Sequence, residues 1–347
     1  DVISGFVQSQ FKYNKIDFYA SATVTNTQYQ REGLYQNGAY PDNSYGKGVK
    51  LSFSGIGAKA GFTYKLSGKH LFYFNAGYVT KAPDLRNTYS NSRENHNIVS
   101  DITEEKMSTV DASYIFRSPI VKAKLTGYYS KIQDANEISF YYADGVGGDN
   151  TAFVQEILQG IDKKQIGAEF GIEAQVTPTI SLKGAAAVGQ FTYDNNPNLY
   201  LTSSDFETGR EDFGASTLKN YKIAGGPQKA YSVGFEYRDP DYWWIGATAN
   251  FFEDTYIDIS PLTRTKNFYL DSDGLPFNDY DPELARELLK QEKFDSYMSV
   301  NLIGGKSWRI SGKNPISLGL FATLNNIFDV RYKTGGFEQA RNANFRE

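Results

Sequence analysis

The chain has 347 residues, a net charge of −4 from 36 Lys plus Arg against 40 Asp plus Glu, no cysteine, and 15% aromatic residues. Near-balanced charge argues against a nucleic-acid partner, which calls for a clustered basic excess, and the lack of Cys excludes a disulfide framework and thiolate metal sites. No apolar run approaches the roughly 18 residues that a membrane helix needs, so any membrane crossing is by strands.

The aromatics are mostly 26 Tyr and 24 Phe, and Gly occurs 32 times. Tyr and Phe suit half-buried strands, and Gly suits crowded strands and turns. A soluble sandwich could share this bias, so patterning has to decide. The chain opens on Asp1 without a signal-peptide pattern, which reads as a processed or truncated sequence.

Period-two alternation recurs along the whole chain. From Ile56 to Leu66, Ile56, Ala58, Ala60, Phe62, Tyr64 and Leu66 share one phase, and Gly57, Lys59, Gly61, Thr63 and Lys65 the other. Val121, Ala123, Leu125 and Tyr129 alternate with Lys122, Lys124, Thr126 and Ser130. Ile166, Ala168, Phe170, Ile172, Ala174 and Val176 alternate with Gly167, Glu169, Gly171, Glu173 and Gln175. Tyr231, Val233, Phe235 and Tyr237 alternate with Ser232, Gly234 and Glu236.

Short polar turns join such segments in pairs near Asn14-Lys15, Ser67-Gly68-Lys69, Arg117-Ser118-Pro119, Thr177-Pro178-Thr179, Arg238-Asp239-Pro240-Asp241 and Ser311-Gly312-Lys313-Asn314. Each carries Gly, Pro, Asn or Asp turn chemistry. The pairs predicted are 2–13 with 16–30, 56–66 with 70–80, 106–117 with 120–133, 164–177 with 179–193, 229–238 with 242–255, and 294–309 with 315–327. That is about twelve strands in six hairpins. Between them lie long segments near 31–55, 81–105, 134–163, 194–228, 256–293 and 328–347.

Long loops are uncommon inside a compact soluble domain. Regular alternation of short turn and long loop is the habit of a membrane barrel, with turns at the periplasm and loops outside. The fold class expected is all-β: an antiparallel transmembrane barrel whose apolar phase faces lipid and whose Lys, Glu, Thr and Gly phase faces the lumen. A water-soluble sandwich would put the same apolar phase in a core. Both ends of the meander fall on the loop side, so the barrel is expected to be incomplete here, with at least one strand missing at each end.

Two stretches go beyond pattern. Leu324-Asn325-Asn326-Ile327-Phe328-Asp329-Val330-Arg331-Tyr332 resembles the V-N-N-L-F-D-x-x-Y signature near the C-terminus of TonB-dependent outer-membrane receptors. Tyr78-Val79-Thr80-Lys81-Ala82-Pro83-Asp84-Leu85 resembles that family's F-R-A-P-x-L segment, with Lys81 in place of Arg. The resemblance implies a barrel of about 22 strands plugged by an N-terminal domain, of which residues 1–347 would be roughly strands 10 to 21. The plug, the TonB-contacting box and the final strand would lie outside this chain. It implies a multi-pass receptor of the Gram-negative outer membrane, importing a scarce nutrient with TonB-derived energy and using no cofactor. The expected partners are outer-membrane lipid, the TonB system, a nutrient ligand, and a surface lipoprotein or other outer-membrane protein. The alternative is a receptor-like barrel serving as scaffold in a larger outer-membrane assembly.

Other candidate chemistry is sparse. Gly304-Gly305-Lys306-Ser307 ends like a phosphate-binding loop, but Val300 stands where the first Gly belongs. Asp271-Ser272-Asp273-Gly274 resembles half a calcium loop without the downstream ligands. Asp281-Pro282-Glu283 predicts a capped helix running to Lys293, with Leu284, Leu288 and Leu289 as its apolar stripe. It would pack on the barrel rim or meet a lipoprotein. His70 and His96 lie in different segments, so neither a zinc site nor a Ser-His-Asp arrangement is readable, and no catalytic residue is assigned. The ligand candidates are the loop aromatics Tyr40, Tyr45, Tyr89, Tyr141, Tyr142 and Tyr200, with Tyr35 and Phe213 beside them. Such rings can stack on a ligand or pack loop against loop. Tyr242, Trp243 and Trp244 read as a periplasmic girdle.

Overall fold

The computed structural model describes residues 1–144, 146, 151–271, 275–312 and 315–339. β1 (Val2–Lys12) and β2 (Ile16–Tyr29) form the first hairpin, followed by the two-residue strands β3 (Glu32–Gly33) and β4 (Gly46–Lys47). Then come β5 (Leu51–Lys65) with β6 (His70–Lys81), β7 (Glu105–Arg117) with β8 (Val121–Ala143), and β9 (Ala152–Gln175) with β10 (Ile180–Tyr193). A small hairpin, β11 (Asn198–Thr202) and β12 (Arg210–Ala215), precedes β13 (Lys229–Arg238) with β14 (Trp243–Glu253). The helix α1 (Pro282–Leu288) precedes β15 (Tyr297–Ile310) and β16 (Ile316–Leu324). The sheet order is β1-β2-β5-β6-β7-β8-β9-β10-β13-β14-β15-β16, all antiparallel, with β1 and β16 at open edges. Among the described residues, the twelve strands on the main path of the sheet, five tight turns and one α-helix match the sequence expectation; the 272–274 and 313–314 positions singled out above, the latter in the sixth turn, lie outside the described residues.

Across the inner strands the outer phase is exposed and much of the inner phase is covered, as a barrel in lipid requires, while the edge strands β1 and β16 are exposed on both phases. Ile56, Phe170 and Val233 are 55%, 41% and 70% exposed, whereas Thr126 and Ser113 on the inner phase are 9% and 6% exposed. A water-soluble sandwich gives the reverse. The inner wall is a lattice of polar contacts across neighbouring strands: Lys65–Asp17 at 2.6 Å, Tyr19–Asn75 at 3.3 Å, Asn75–Asp111 at 2.9 Å, Ser113–Thr126 at 2.9 Å and Ser232–Asn250 at 2.9 Å.

Aromatics and charges mark the two membrane boundaries. At the tight-turn end, Phe11 stacks on Phe18 at 4.8 Å, Phe72 meets Tyr114 at 5.1 Å, and Tyr237 meets Trp243 at 5.0 Å. This is the interfacial girdle of a barrel. At the loop end, outward-phase lysines end the apolar band, each paired with an aspartate: Lys106–Asp134 at 2.7 Å, Lys131–Asp194 at 3.2 Å and Lys229–Asp254 at 2.8 Å. Lys229 and Arg238 bracket β13, a strand of 10 residues, close to the 9–11 that a tilted strand needs to cross.

One expectation fails in detail. The segment 134–163 is not a long loop. β8 and β9 run 23 and 24 residues, and only 144–151 connects them. At about 3.3 Å per residue, β8 is roughly 70 Å long, far more than the bilayer requires. The cause of the misreading is a register shift between Ile132 and Asn136, with Asp134 at φ 59 and Gly160 at φ 72. The bulge flips the phase: the outward set is Leu125 and Tyr129 below it, and Ile138, Phe140 and Tyr142 share a phase above it. Above the bulge β9 is buried on both faces from Val154 to Leu158, while Phe140 and Tyr142 on β8 stay exposed, so alternation no longer reports lipid contact. The segment 194–228 likewise contains β11, which pairs with the upper part of β9, and β12, which pairs with β11.

The helix is also shorter than expected. Asp281 caps it by accepting from the N–H groups of Glu283 and Leu284, with Pro282 at its first position, and it ends at Leu288 rather than Lys293. Beyond it the chain extends along the preceding loop: Gln291 donates to the carbonyls of Lys222 and Ile257, and the N–H of Phe294 donates to Thr255 O at 2.8 Å. Leu284 and Leu289 pack with Phe268, while Leu288 faces outward.

Candidate functional site: the loop vestibule

The upper half of the β8–β9 hairpin organises the loops. One face carries Ala143, Val154 and Leu158 into a cluster with Leu199, Leu201, Leu218 and Leu262 from the loops behind it. The other carries Ile138 and Ile157 against Val99 and Tyr200. Side chains from three connections thus bury one another around a single two-stranded post.

Two clefts open beside the post. The first, of about 860 Å³, lies between the hairpin and the segments 258–261 and 337–339. Tyr141, Tyr142, Glu156, Asp258 and Glu338 line it. Tyr141 donates its hydroxyl to Glu156 Oε2 at 2.8 Å. Glu156 stands well above the lipid band, and burial pushes its carboxyl up to about 7, against the Tyr141 hydrogen bond and with help from the charges of Asp258 and Glu137. Glu137 is itself paired with Lys163. The second cleft, of about 720 Å³, lies between the hairpin and residues 85–94. Arg86 and Phe140 line both clefts.

The far wall of the first cleft is held by Arg264. Its side chain is 1% exposed and it donates to the carbonyls of Ser260 at 2.9 Å and Leu289 at 3.0 Å, as well as to Glu338. Sequence reading missed Arg264 and Glu156, because a lone charged residue in a polar loop carries no local sign that it is buried.

The structure separates the candidate aromatics. Tyr142 and Tyr45 are exposed, Tyr40 and Tyr141 are half-buried, and Tyr89 and Tyr200 are buried. Tyr200 lies beneath the Arg210 guanidinium at 3.7 Å, and its hydroxyl accepts from the Ser100 N–H at 3.2 Å. Tyr141 and Tyr142 come together at one cleft; Tyr89 lines the other. Phe213 packs on the large cluster. Gly304-Gly305-Lys306-Ser307 lies inside β15, with no helix after it. His70 contacts Tyr114 at 2.7 Å and His96 contacts Arg31 at 3.0 Å, in separate regions. Among the described residues no group of three or more His, Cys, Asp or Glu is placed to hold a metal ion.

The motif residues have a structural logic. Asn326 takes φ 51 and Asp329 φ 50, the left-handed region that Asn and Asp tolerate best. The Asn326 side chain donates to Val330 O at 3.0 Å and accepts from Val330 N at 3.1 Å, closing the turn that follows Asn325 and contains Phe328. Tyr332 then stacks on Tyr297 at 3.9 Å. In the other motif, Lys81 reaches Glu105 on β7 at 3.0 Å, keeping a cation where the family has Arg. Ala82 and Pro83 follow it, and Pro83 O accepts from the Tyr29 hydroxyl at 3.1 Å.

An antiparallel meander with an apolar outer phase, an aromatic rim at the tight turns and a roofed vestibule above defines an outer-membrane β-barrel. The family described as TonB dependent receptor-like, beta-barrel matches residues 1–327, and the chain belongs to it. It is a multi-pass barrel of the Gram-negative outer membrane. Solved structures with the same fold include the copper transporter OprC, with a TM-score of 0.63 and 15% identity, 96% of this chain aligning with 43% of that one. The FrpB iron transporter of Neisseria meningitidis aligns at 0.57 and 10% identity, covering 95% of this chain and 41% of its own. The ferric citrate transporter FecA, unliganded, aligns at 0.57 and 10%, covering 95% and 40%. The chain therefore spans about two-fifths of the length of these structures. No curated protein sequence matches it.

Proposed function

We propose that the protein containing this chain imports a scarce nutrient across the outer membrane. Membership of the receptor family, together with two ligand-sized clefts among the loops, supports the reading; such volumes fall in the usual range for small-molecule sites. Capture is assigned to the vestibule, with Tyr141 and Tyr142 as its aromatic contacts and Tyr40 and Tyr45 as outlying ones. An open sheet edge cannot face hydrocarbon, so further strands pair with β1 and β16, and a plug domain fills the lumen. Energy enters from the TonB system through that plug. The helix α1, with Leu288 outward, is the surface assigned to a lipoprotein partner.

The test is uptake in cells with the gene, without it, and with the proton gradient collapsed. Labelled iron chelates, glycans, peptides and cobalamin form the panel. One class should accumulate only with both gene and gradient, and Tyr142→Ala should reduce it severalfold. Accumulation that ignores the gene, or persists without the gradient, contradicts the proposal.

A further inference from the structure

The second cleft has a chemistry of its own. Its lining includes Arg31, Arg86 and Arg93 against a single acid, Glu94, with the rings of Tyr89, Phe140 and Phe153. Arg31 is committed to its own loop, donating to Ser92 O at 2.6 Å and Ser44 O at 2.9 Å. Arg86 and Arg93 are different. Both are exposed, and among the described residues neither guanidinium has a hydrogen bond, an ion pair or an aromatic contact. Both line one concavity of about 720 Å³, where unpaired guanidinium groups can donate charge-assisted hydrogen bonds to an anion.

The rings supply the rest. Phe140 and Phe153 lie 6.4 Å apart, inclined at 23°, and Tyr142 of the neighbouring cleft lies 5.1 Å from Phe153. These side chains project from the rigid post, so their faces are held in place at little entropic cost. The neighbouring cleft is lined by Asp144, Glu156, Asp258 and Glu338. Arg86 lines that cleft as well and stands at the boundary between the acidic and the basic lining.

We propose that the cleft between residues 85–94 and the β8–β9 hairpin binds an aromatic anion, its carboxylate or equivalent oxyanion held by Arg86 and Arg93 and its ring on Phe140 and Phe153. Planar forked guanidinium groups match planar oxyanions, and offset ring stacking orients the ligand body. The inference concerns equilibrium binding and stands apart from transport.

The probe is 4-fluorophthalate, followed by fluorine NMR with the full-length protein in uncharged phosphatidylcholine vesicles. 4-Fluorobenzylamine is the cationic counterpart. The anion should bind saturably, weaken with salt, and the amine should not bind. Arg86→Gln and Arg93→Gln should each lower affinity about tenfold, and Phe140→Leu severalfold. Neither arginine supports the fold, so retained resistance of the barrel to detergent unfolding verifies the variants. Absence of saturable anion binding, equal binding of the amine, or unchanged affinity in the double arginine variant would overturn the proposal. If uptake fails while anion binding holds, it is the transport reading that falls.

Discussion

The Arg264 guanidinium forms a two-pronged pair with the Glu338 carboxylate, Nη1 to Oε2 at 2.5 Å and Nη2 to Oε1 at 2.9 Å. The residues are 74 positions apart. The pair fastens the segment after the signature turn to the loop before α1, and so fixes one wall of the larger cleft.

Breaking that pair should loosen the wall and leave the barrel alone. Removing one partner of a buried pair strands the other charge, at a cost of 3–5 kcal/mol when both are buried. Glu338 is partly exposed, so Glu338→Ala should cost about 2 kcal/mol locally. Hydrogen exchange should quicken in 256–264 and 334–339 and stay unchanged in the membrane-crossing strands. Unchanged exchange in both loop segments would show that the pair is ornamental.

Glu156 makes the vestibule sensitive to pH. Its folded-state value is raised to about 7 from 4.5, so the folded form holds its proton more tightly than the unfolded form. The resulting stability is present in full below the unfolded value and is lost as pH rises through about 7. The difference amounts to roughly 3 kcal/mol. Exchange protection of residues 152–161, corrected for intrinsic rates, should therefore fall between pH 5 and pH 8. Glu156→Gln should flatten that profile and raise protection at pH 8. A profile equally steep in the variant would assign the dependence elsewhere.

The signature turn should tolerate Gly better than Ala. Asn326→Ala loses two side-chain hydrogen bonds to Val330 and places a Cβ residue without local bonding in the left-handed region. About 2–3 kcal/mol is expected. Asn326→Gly keeps the backbone conformation and should cost about half as much. Denaturant unfolding of the full-length barrel in lipid vesicles gives both values; equal costs would mean that backbone conformation plays no part.

Ile172 and Glu173 are adjacent on β9 and point to opposite faces. Ile172→Arg should cost about 2–4 kcal/mol if it lies near the bilayer midplane, and Glu173→Gln much less, because the lumen hydrates either side chain. The same unfolding series compares them. An equal or larger cost at Glu173 would reverse the faces.

Strand positions were legible wherever one face met lipid and the other the lumen, because only there does period two record environment. Leu125 and Tyr129 show it; Ile138 and Phe140 do not, since the bulge shifts their phase and, above it, loop residues bury Ile138 while Phe140 borders the open clefts. The vestibule was less legible still. Tyr141 and Tyr142 could be picked out as loop aromatics, but Glu156 and Arg264 become special only through burial among segments far apart in sequence. Arg86 sits two residues past the Ala82-Pro83-Asp84 stretch, and nothing local says that it shares a cleft with Arg93 and Phe140.

The central claim is that the apolar phase meets lipid. A single tryptophan placed by Ile172→Trp, and separately by Glu173→Trp, in a tryptophan-free background of the full-length barrel, reports it through quenching by brominated lipid chains. Strong quenching at position 172 with little at 173 is the result expected. Equal quenching at both positions, or stronger quenching at 173, would contradict the account.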